Sequence, residues 1–210
     1  MTLTWFRPPA GDDPGSLNLC YHAVDIAVIR GAAAETAVRY AGGELDYATL
    51  LERVAALAGA FRGLGVAPGT PVGVLLDDPL DELLALLATA RLGATVVALD
   101  PADPGARIEE HRPLLVATSQ PITFAGHVPA ACVLRGIEPQ DPTRDLDWEL
   151  AVRAGRTDPA PCAPVAPGDP AYVGVDTVAV IDVPGHDSLL GRAVSALADR
   201  VPVDLTGARP

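Results

Sequence analysis

The sequence predicts an α/β fold built on a doubly wound, largely parallel sheet. Three observations carry that reading. The runs PVGVLL (71–76), ATVVALD (94–100) and LLVAT (114–118) are short and almost wholly apolar, the pattern of strands buried on both faces. The segment DELLALLATARLG, between the first two runs, is apolar nearly all round and reads as a buried helix. Strand, helix, strand in that order makes a right-handed parallel crossover. The chain has 210 residues, of which 49% are apolar and 4% aromatic. A chain of this size buries roughly 70% of its unfolded surface, with Ala, Val and Leu filling the core.

The elements follow in chain order. Residues 1–17 read as an extended lead. Asn18 suits the cap of a short helix through about Val28. In AVRYAGGELDY, two strand-like runs flank Gly42-Gly43, a hairpin signal. Asp46 precedes a helix from Tyr47 to about Arg62, with Leu50, Val54, Leu57 and Phe61 on one stripe of a 3.6-residue period. Glu52, Arg53 and Arg62 fall off that stripe, and Gly63 and Gly65 stop the helix. Asp77-Asp78-Pro79 opens the next helix, with proline in the first turn, where its missing N–H costs little. Gly93 ends that helix. A short helix near 103–112 precedes LLVAT. Residues 119–145 carry a single strand-like run, AACVL (130–134), and LDWELAVRAG suits a short helix.

The predicted organisation is therefore an α/β unit over 18–154 and a Pro-rich exposed connection over 155–170. The terminal strands AYVGV and TVAVIDV and a helix from Ser188 to Arg200 complete the same domain over 171–200. Its expected apolar stripe is Leu189, Ala193, Ala196 and Leu197. A polar tail covers 201–210.

Charge bounds the partners. The formal net charge is −12 and the pI about 4.6, which repels nucleic acid and anionic membrane. All fifteen basic Lys/Arg positions are Arg. The chain therefore offers no ammonium to grip a phosphate, form a Schiff base or act as a tuned base. Cys20, Cys132 and Cys162 are far apart in sequence and suggest neither a zinc knuckle nor a disulfide framework. Reduced thiols, a cytoplasmic location and no membrane span are the expectations.

The stretch VAVIDVPGH has the form of the Asp-x-x-Gly magnesium motif of nucleotide switches: a strand, then Asp182, then Gly185. Its partner motif needs a lysine that this chain lacks, so an Asp at a Pro-Gly turn is the plainer reading. His186, Asp187 and Ser188 are adjacent, but side chains on adjacent residues point different ways, unlike those of a triad. His22, His111, His127 and His186 have no metal-ligand spacing. The three cysteines read as small buried apolar residues. Asp12-Asp13, Asp77-Asp78 and Glu109-Glu110 read as solvated faces or helix-start charges. Trp5 and Trp148 read as packing residues.

By residue 118 the order of pieces resembles the start of the AMP-forming acyl-CoA synthetases, within the adenylate-forming ligases. Acetyl- and propionyl-type members are the nearest in pattern. Trp5-Phe6, Leu17-Asn18 and Tyr21-His22-Ala23-Val24-Asp25 stand in the order of that family's opening. LDYATLLERVAALAGAFRGLGVAPGTPVGVLL resembles its "T-Y-x-E-L" helix and following strand. PLDELLALLATARLGATVVALDP resembles the next helix and strand. RDLDWELAVRAGR and APVAPGDPAYV resemble the approach to the phosphate loop. The likeness spans roughly residues 5–173, with 119–145 matching least, and Arg107 falls at an "R-I" position. It implies a fold corresponding to the first part of the ligase large domain.

After Tyr172-Val173 the family continues Tyr-Thr-Ser-Gly-Thr-Thr-Gly-x-Pro-Lys-Gly. Its glycines and hydroxyls close on phosphates and its lysine supplies charge. This chain reads GVDTVAVIDVPGH, keeping one hydroxyl, Thr177, and one late glycine, Gly185. The resemblance transfers no catalytic residue. The expected cofactor-binding residues are none beyond Thr177 and Gly185, and the expected metal ligands none beyond Asp182. The expected role is a non-catalytic, ligase-like interaction module with no cofactor. A scaffold subunit of a split short-chain ligase, using ATP, Mg²⁺ and CoA with a second polypeptide, is the alternative. A nucleotide switch on IDVPGH is the third reading. A protein partner, or a second copy of the chain, is expected to cover sheet surface left exposed by the shortened domain.

Overall fold

The computed structural model describes residues 3–207. It contains a seven-stranded sheet in the order β7-β6-β5-β3-β4-β8-β9 and a three-stranded sheet in the order β10-β1-β2. The strands are β1 (Thr36–Tyr40), β2 (Gly43–Asp46), β3 (Pro71–Leu75), β4 (Thr95–Ala98), β5 (Leu115–Thr118), β6 (Ala131–Leu134), β7 (Asp145–Asp147), β8 (Pro170–Val173), β9 (Thr177–Ala179) and β10 (Val203–Asp204). The helices are α1 (Ile26–Ile29), α2 (Tyr47–Gly63), α3 (Pro79–Arg91), α4 (Pro104–His111), α5 (Trp148–Gly155) and α6 (Leu189–Ala198). A π-turn, Tyr21–Asp25, leads into α1.

The helix starts lie where the capping residues stand. Asp46 accepts from Thr49 N at 2.7 Å. Asp78 accepts from Leu80 N at 2.8 Å and Asp81 N at 3.1 Å. Asp103, Asp147 and Ser188 cap α4, α5 and α6 in the same way. Each satisfies a backbone donor that the first helical turn leaves orphaned. Gly93, at φ +65°, takes the left-handed conformation that ends the turn after α3.

The large sheet is parallel from β7 through β8, and β9 alone returns antiparallel. Its strands bury alternate residues on opposite faces. Val72, Val74, Val96, Leu115, Ala117, Ala131 and Val133 join a core with α2, α3, α5 and α6. Leu75, Val97, Val116, Cys132, Leu134 and Val173 join a smaller core with Ile108 of α4, fringed by Ile122, Phe124 and Ile137. This two-sided burial is why the strands read as continuous apolar runs. On the second face, Leu75, Val97, Val116, Cys132, Leu134 and Val173 are at most 8% exposed, packed with Ile108 of α4 and fringed by Ile122, Phe124 and Ile137. The large exposed apolar residues are scattered, among them Ile29, Leu150, Val175 and Ile181.

Several boundaries differ from the sequence reading. The lead folds back on itself through Arg7–Ser16 and Ala10–Asp13 bridges, and then pairs Leu17 with Val165. Met1 and Thr2 of that lead lie outside the described residues. The Pro-rich 155–170 segment is packed rather than exposed at Ala160 and Val165, 2% and 7% accessible. Its extended backbone supplies hydrogen bonds to Ala55 O, Arg91 O and Leu17 O. RDLD contributes the short strand β7, too brief to show a period. TVAVIDV is strand only over β9, and then becomes a 3-10 turn, Val180–Gly185. The buried stripe of α6 is Leu190, Ala193, Val194 and Leu197, with Leu189 and Ala196 at its margin. The tail is structured where β10 pairs parallel with β1, Val38 opposite Val203; residues 208–210 lie outside the described set. Tyr47 Oη donates to Leu197 O at 2.7 Å, tying α6 into the main core.

Candidate functional site

In open α/β sheets, ligands bind beyond the carboxyl ends of the strands, where the strand order reverses. Here β3 is central, β4 lies on one side of it and β5 on the other, so the reversal is at β3. Beyond it, Asp77 N donates to Ser119 Oγ at 2.9 Å and Gln120 Nε2 donates to Asp77 Oδ1 at 2.8 Å. Next to these residues lies a cavity of about 250 Å³. Thr118, Gln120, Phe124, Cys132, Leu134 and Arg144 line it.

The polar groups of this cavity are largely committed to one another. Arg144 donates to Asp145 at 2.6 Å and lies 4.9 Å over the Phe124 ring. Burial pushes the Asp145 carboxyl up, but hydrogen bonds from Arg144 and from the backbone N–H groups of Asp141 and Gln140 hold it below the usual range. Burial pushes the Cys132 thiol up to about 11, with Arg144 pulling the other way. A thiol so held is neutral at pH 7 and a poor nucleophile. The cavity therefore offers an apolar recess with a self-neutralised rim.

The turn after β8 occupies the position where a phosphate loop would begin. Gly174 N donates to Asp176 O at 3.0 Å, closing a tight hairpin, and Thr177 opens β9 opposite Val173. Thr177 is exposed. β9 then runs antiparallel, so Ala179 faces Pro170 at the start of β8. Asp182 and Gly185 follow Ala179 and sit at the amino end of β8, the opposite end from Thr177. Val180 N and Ile181 N donate to Asp169 O and Pro167 O there. The three sequence candidates are thus divided between the two ends of β8, Thr177 at one and Asp182 with Gly185 at the other. Asp182 is exposed in a 3-10 turn rather than at a strand's carboxyl end.

The other candidates fall into structural roles. Ser188 Oγ accepts from Gly191 N as the α6 cap, and His186 Nδ1 accepts from Ser188 N at 3.2 Å. The His186 ring lies 5.6 Å from that of Tyr172. Trp148 is 3% exposed beneath Arg135, and Trp5 packs against the main core. Arg135 bridges Asp81 at 2.7 Å and also pairs with Glu149. Arg107 lies 3.4 Å from His111 Nε2 on α4.

One grouping escapes sequence spacing altogether. Cys20, Asp25 and Cys162 bring their sulfur and oxygen atoms within 4.8 Å of one another. Arg91 pairs with Asp25 at 2.7 Å and lies 3.5 Å from Cys20 Sγ. These are the described residues whose donors could hold a metal ion. The long separation between Cys20 and Cys162 hid the pairing.

A largely parallel sheet with helices on both faces defines a doubly wound α/β scaffold. Comparison with known proteins then fixes the family. The model of the AMP-binding enzyme family matches residues 27–173, and the chain belongs to that family. An uncharacterised protein of Pseudomonas aeruginosa is 32% identical over 82% of this chain and 34% of its own. The phosphinothricin tripeptide synthetase PhsC of Streptomyces viridochromogenes is 34% identical over 79% of this chain and 15% of its own. A Brucella canis acyl-CoA synthetase structure superposes with a TM-score of 0.75 at 18% identity, over 96% of this chain and 45% of that one. The chain thus spans about a third or less of the length of these two relatives and under half of that solved structure. No helix among the described residues is long and apolar enough to cross a membrane.

Proposed function

We propose that this chain is a non-catalytic member of the adenylate-forming ligase family that serves as an interaction module and does not activate carboxylates unaided. One observation carries the reading: the hairpin Gly174–Asp176 stands where the family's phosphate loop follows its strand. Adenylation needs backbone donors and a cation around the phosphates of ATP. Here Gly174 N is spent on Asp176 O, Asp176 adds a negative charge, and the chain contains no lysine.

The test is AMP and pyrophosphate release from ATP and Mg²⁺ by the purified chain, with acetate or propionate. The expected outcome is release equal to the protein-free blank. Carboxylate-dependent AMP formation would overturn the reading. ATP titration by calorimetry, expected to show no saturable heat, checks binding separately from turnover.

A second reading, scaffold subunit of a split short-chain ligase using ATP, Mg²⁺ and CoA, is favoured by one feature. The strands leading to the loop position are intact, and Val175 in the hairpin is 97% exposed. Under this reading a second polypeptide brings the loop and the lysine. Co-purification of a lysine-bearing partner that restores AMP formation would favour it; a monomer that recovers no activity would count against it.

A further inference from the structure

We propose that Cys20 and Cys162 are a paired oxidation site, at which a low-molecular-weight disulfide closes an intramolecular bond between them. Both thiols are free. Their sulfurs lie within 4.8 Å of each other and of an Asp25 carboxylate oxygen, to which Cys20 Sγ donates at 3.8 Å.

The backbone around them is already stapled. Leu17 N donates to Val165 O at 2.9 Å and Val165 N donates back to Leu17 O at 3.0 Å. Cys20 lies three residues after Leu17 and Cys162 three before Val165, so both thiols sit close to this bridge. Asn18 Nδ2 donates to Ala163 O at 2.8 Å and to Arg91 O at 2.9 Å, and Ala163 N donates to Arg91 O at 2.8 Å. The segments to be joined are held by bonds independent of sulfur, so little backbone movement is needed.

The surroundings favour disulfide chemistry over metal binding. The Asp25 carboxylate already serves Arg91, and that guanidinium lies 3.5 Å from Cys20 Sγ, where it repels a cation. Cys162 is partly accessible, whereas Cys20 is fully buried. The Cys162 thiol therefore meets the oxidant first, although the neighbouring Cys20 and burial push its pKa well above the ordinary value and make the attack slow. It loses its proton and attacks one sulfur of the small disulfide, expelling one small thiolate. Cys20 Sγ then loses its proton and attacks the Cys162 sulfur, expelling the second thiolate. The protein pair gives up two electrons, the small disulfide is reduced to two thiols, and those thiols take the two protons. The closed bond ties the start of the first helix to the connection that feeds β8.

The test incubates the full chain with oxidised glutathione and follows intact mass, non-reducing peptide maps and thermal unfolding. The expected result is loss of two hydrogens and a peptide joining Cys20 to Cys162. Cys132 should remain alkylatable once the protein is denatured. The midpoint should rise and return on adding reductant. Cys20→Ser and Cys162→Ser should abolish the cross-link and the shift, while Cys132→Ser keeps both. Should the serine variants fail to fold, the wild-type peptide map decides alone. A lasting glutathione adduct on Cys162, or both thiols still alkylatable after oxidation, overturns the proposal. So does stoichiometric zinc retained through purification that shields the thiols until chelated.

Discussion

Gly155 offers the sharpest test of the packing. It ends α5 where that helix lies against α2, and an added methyl group would sit 2.6 Å from Ala60 N and closer still to Ala56 O. Non-bonded atoms settle at about 3.5 Å or more, so the two helices would have to part by well over ~1 Å. Both clashing atoms belong to helical backbone, which cannot rotate away as a side chain can. Overpacking of this kind costs typically 1–3 kcal/mol. Alanine's better helix propensity returns at most about 1 kcal/mol. Gly155→Ala should therefore be destabilised by about 2 kcal/mol, which for a chain of this length lowers the thermal midpoint by roughly 4–8 °C. Gly63, at the end of α2, is the control: an added Cβ there meets nothing within 4 Å, and its φ is not left-handed. Gly63→Ala should be neutral or slightly stabilising. Urea unfolding of both variants reads the difference. A Gly155→Ala protein as stable as Gly63→Ala would refute the close backbone approach of α2 and α5.

Two further outcomes follow. Asp78→Ala removes the acceptor for Leu80 N and Asp81 N and should cost about 1 kcal/mol in urea unfolding; an unchanged midpoint would show that the cap is dispensable. The second concerns His22, which accepts from Thr4 N through Nδ1 while Nε2 is buried without a partner among the described residues. Burial lowers its pKa from 6.5, with Asp199 opposing and Arg30 reinforcing. The unfolded chain thus binds this proton more readily than the folded one. The stability this group contributes is fully present above pH 6.5 and is lost as the pH falls through that value toward the folded pKa. His22→Asn should flatten the stability–pH slope across that window, and an unaltered slope would assign the dependence to other groups.

The legible parts were those in which local chemistry and burial agree. PVGVLL, ATVVALD and LLVAT announced β3, β4 and β5 because strands covered on both faces need no polar side. Asp46, Asp78 and Ser188 announced helix starts because a capping oxygen acts within three residues of itself. The absence of a lysine-bearing phosphate loop after Val173 was likewise plain from residue types alone, since no conformation supplies a missing ammonium. Segments with few or mixed signals were harder. β7 and β10 are three and two residues long, too short for a period, and exist through pairing with β6 and β1. The Pro-rich connection looked exposed because composition does not report which carbonyls a distant helix will claim.

Sequence by itself determined the central strands β3, β4 and β5, most helix starts and the family, because these rest on patterns spanning neighbouring residues. The tertiary structure alone decided that Thr177 and Asp182 stand at opposite ends of the sheet, since an antiparallel return reverses the chain's direction. It also decided that Cys20 meets Cys162. That contact depends on where the Leu17–Val165 bridge closes a loop of well over a hundred residues, a distance across which no local pattern carries information.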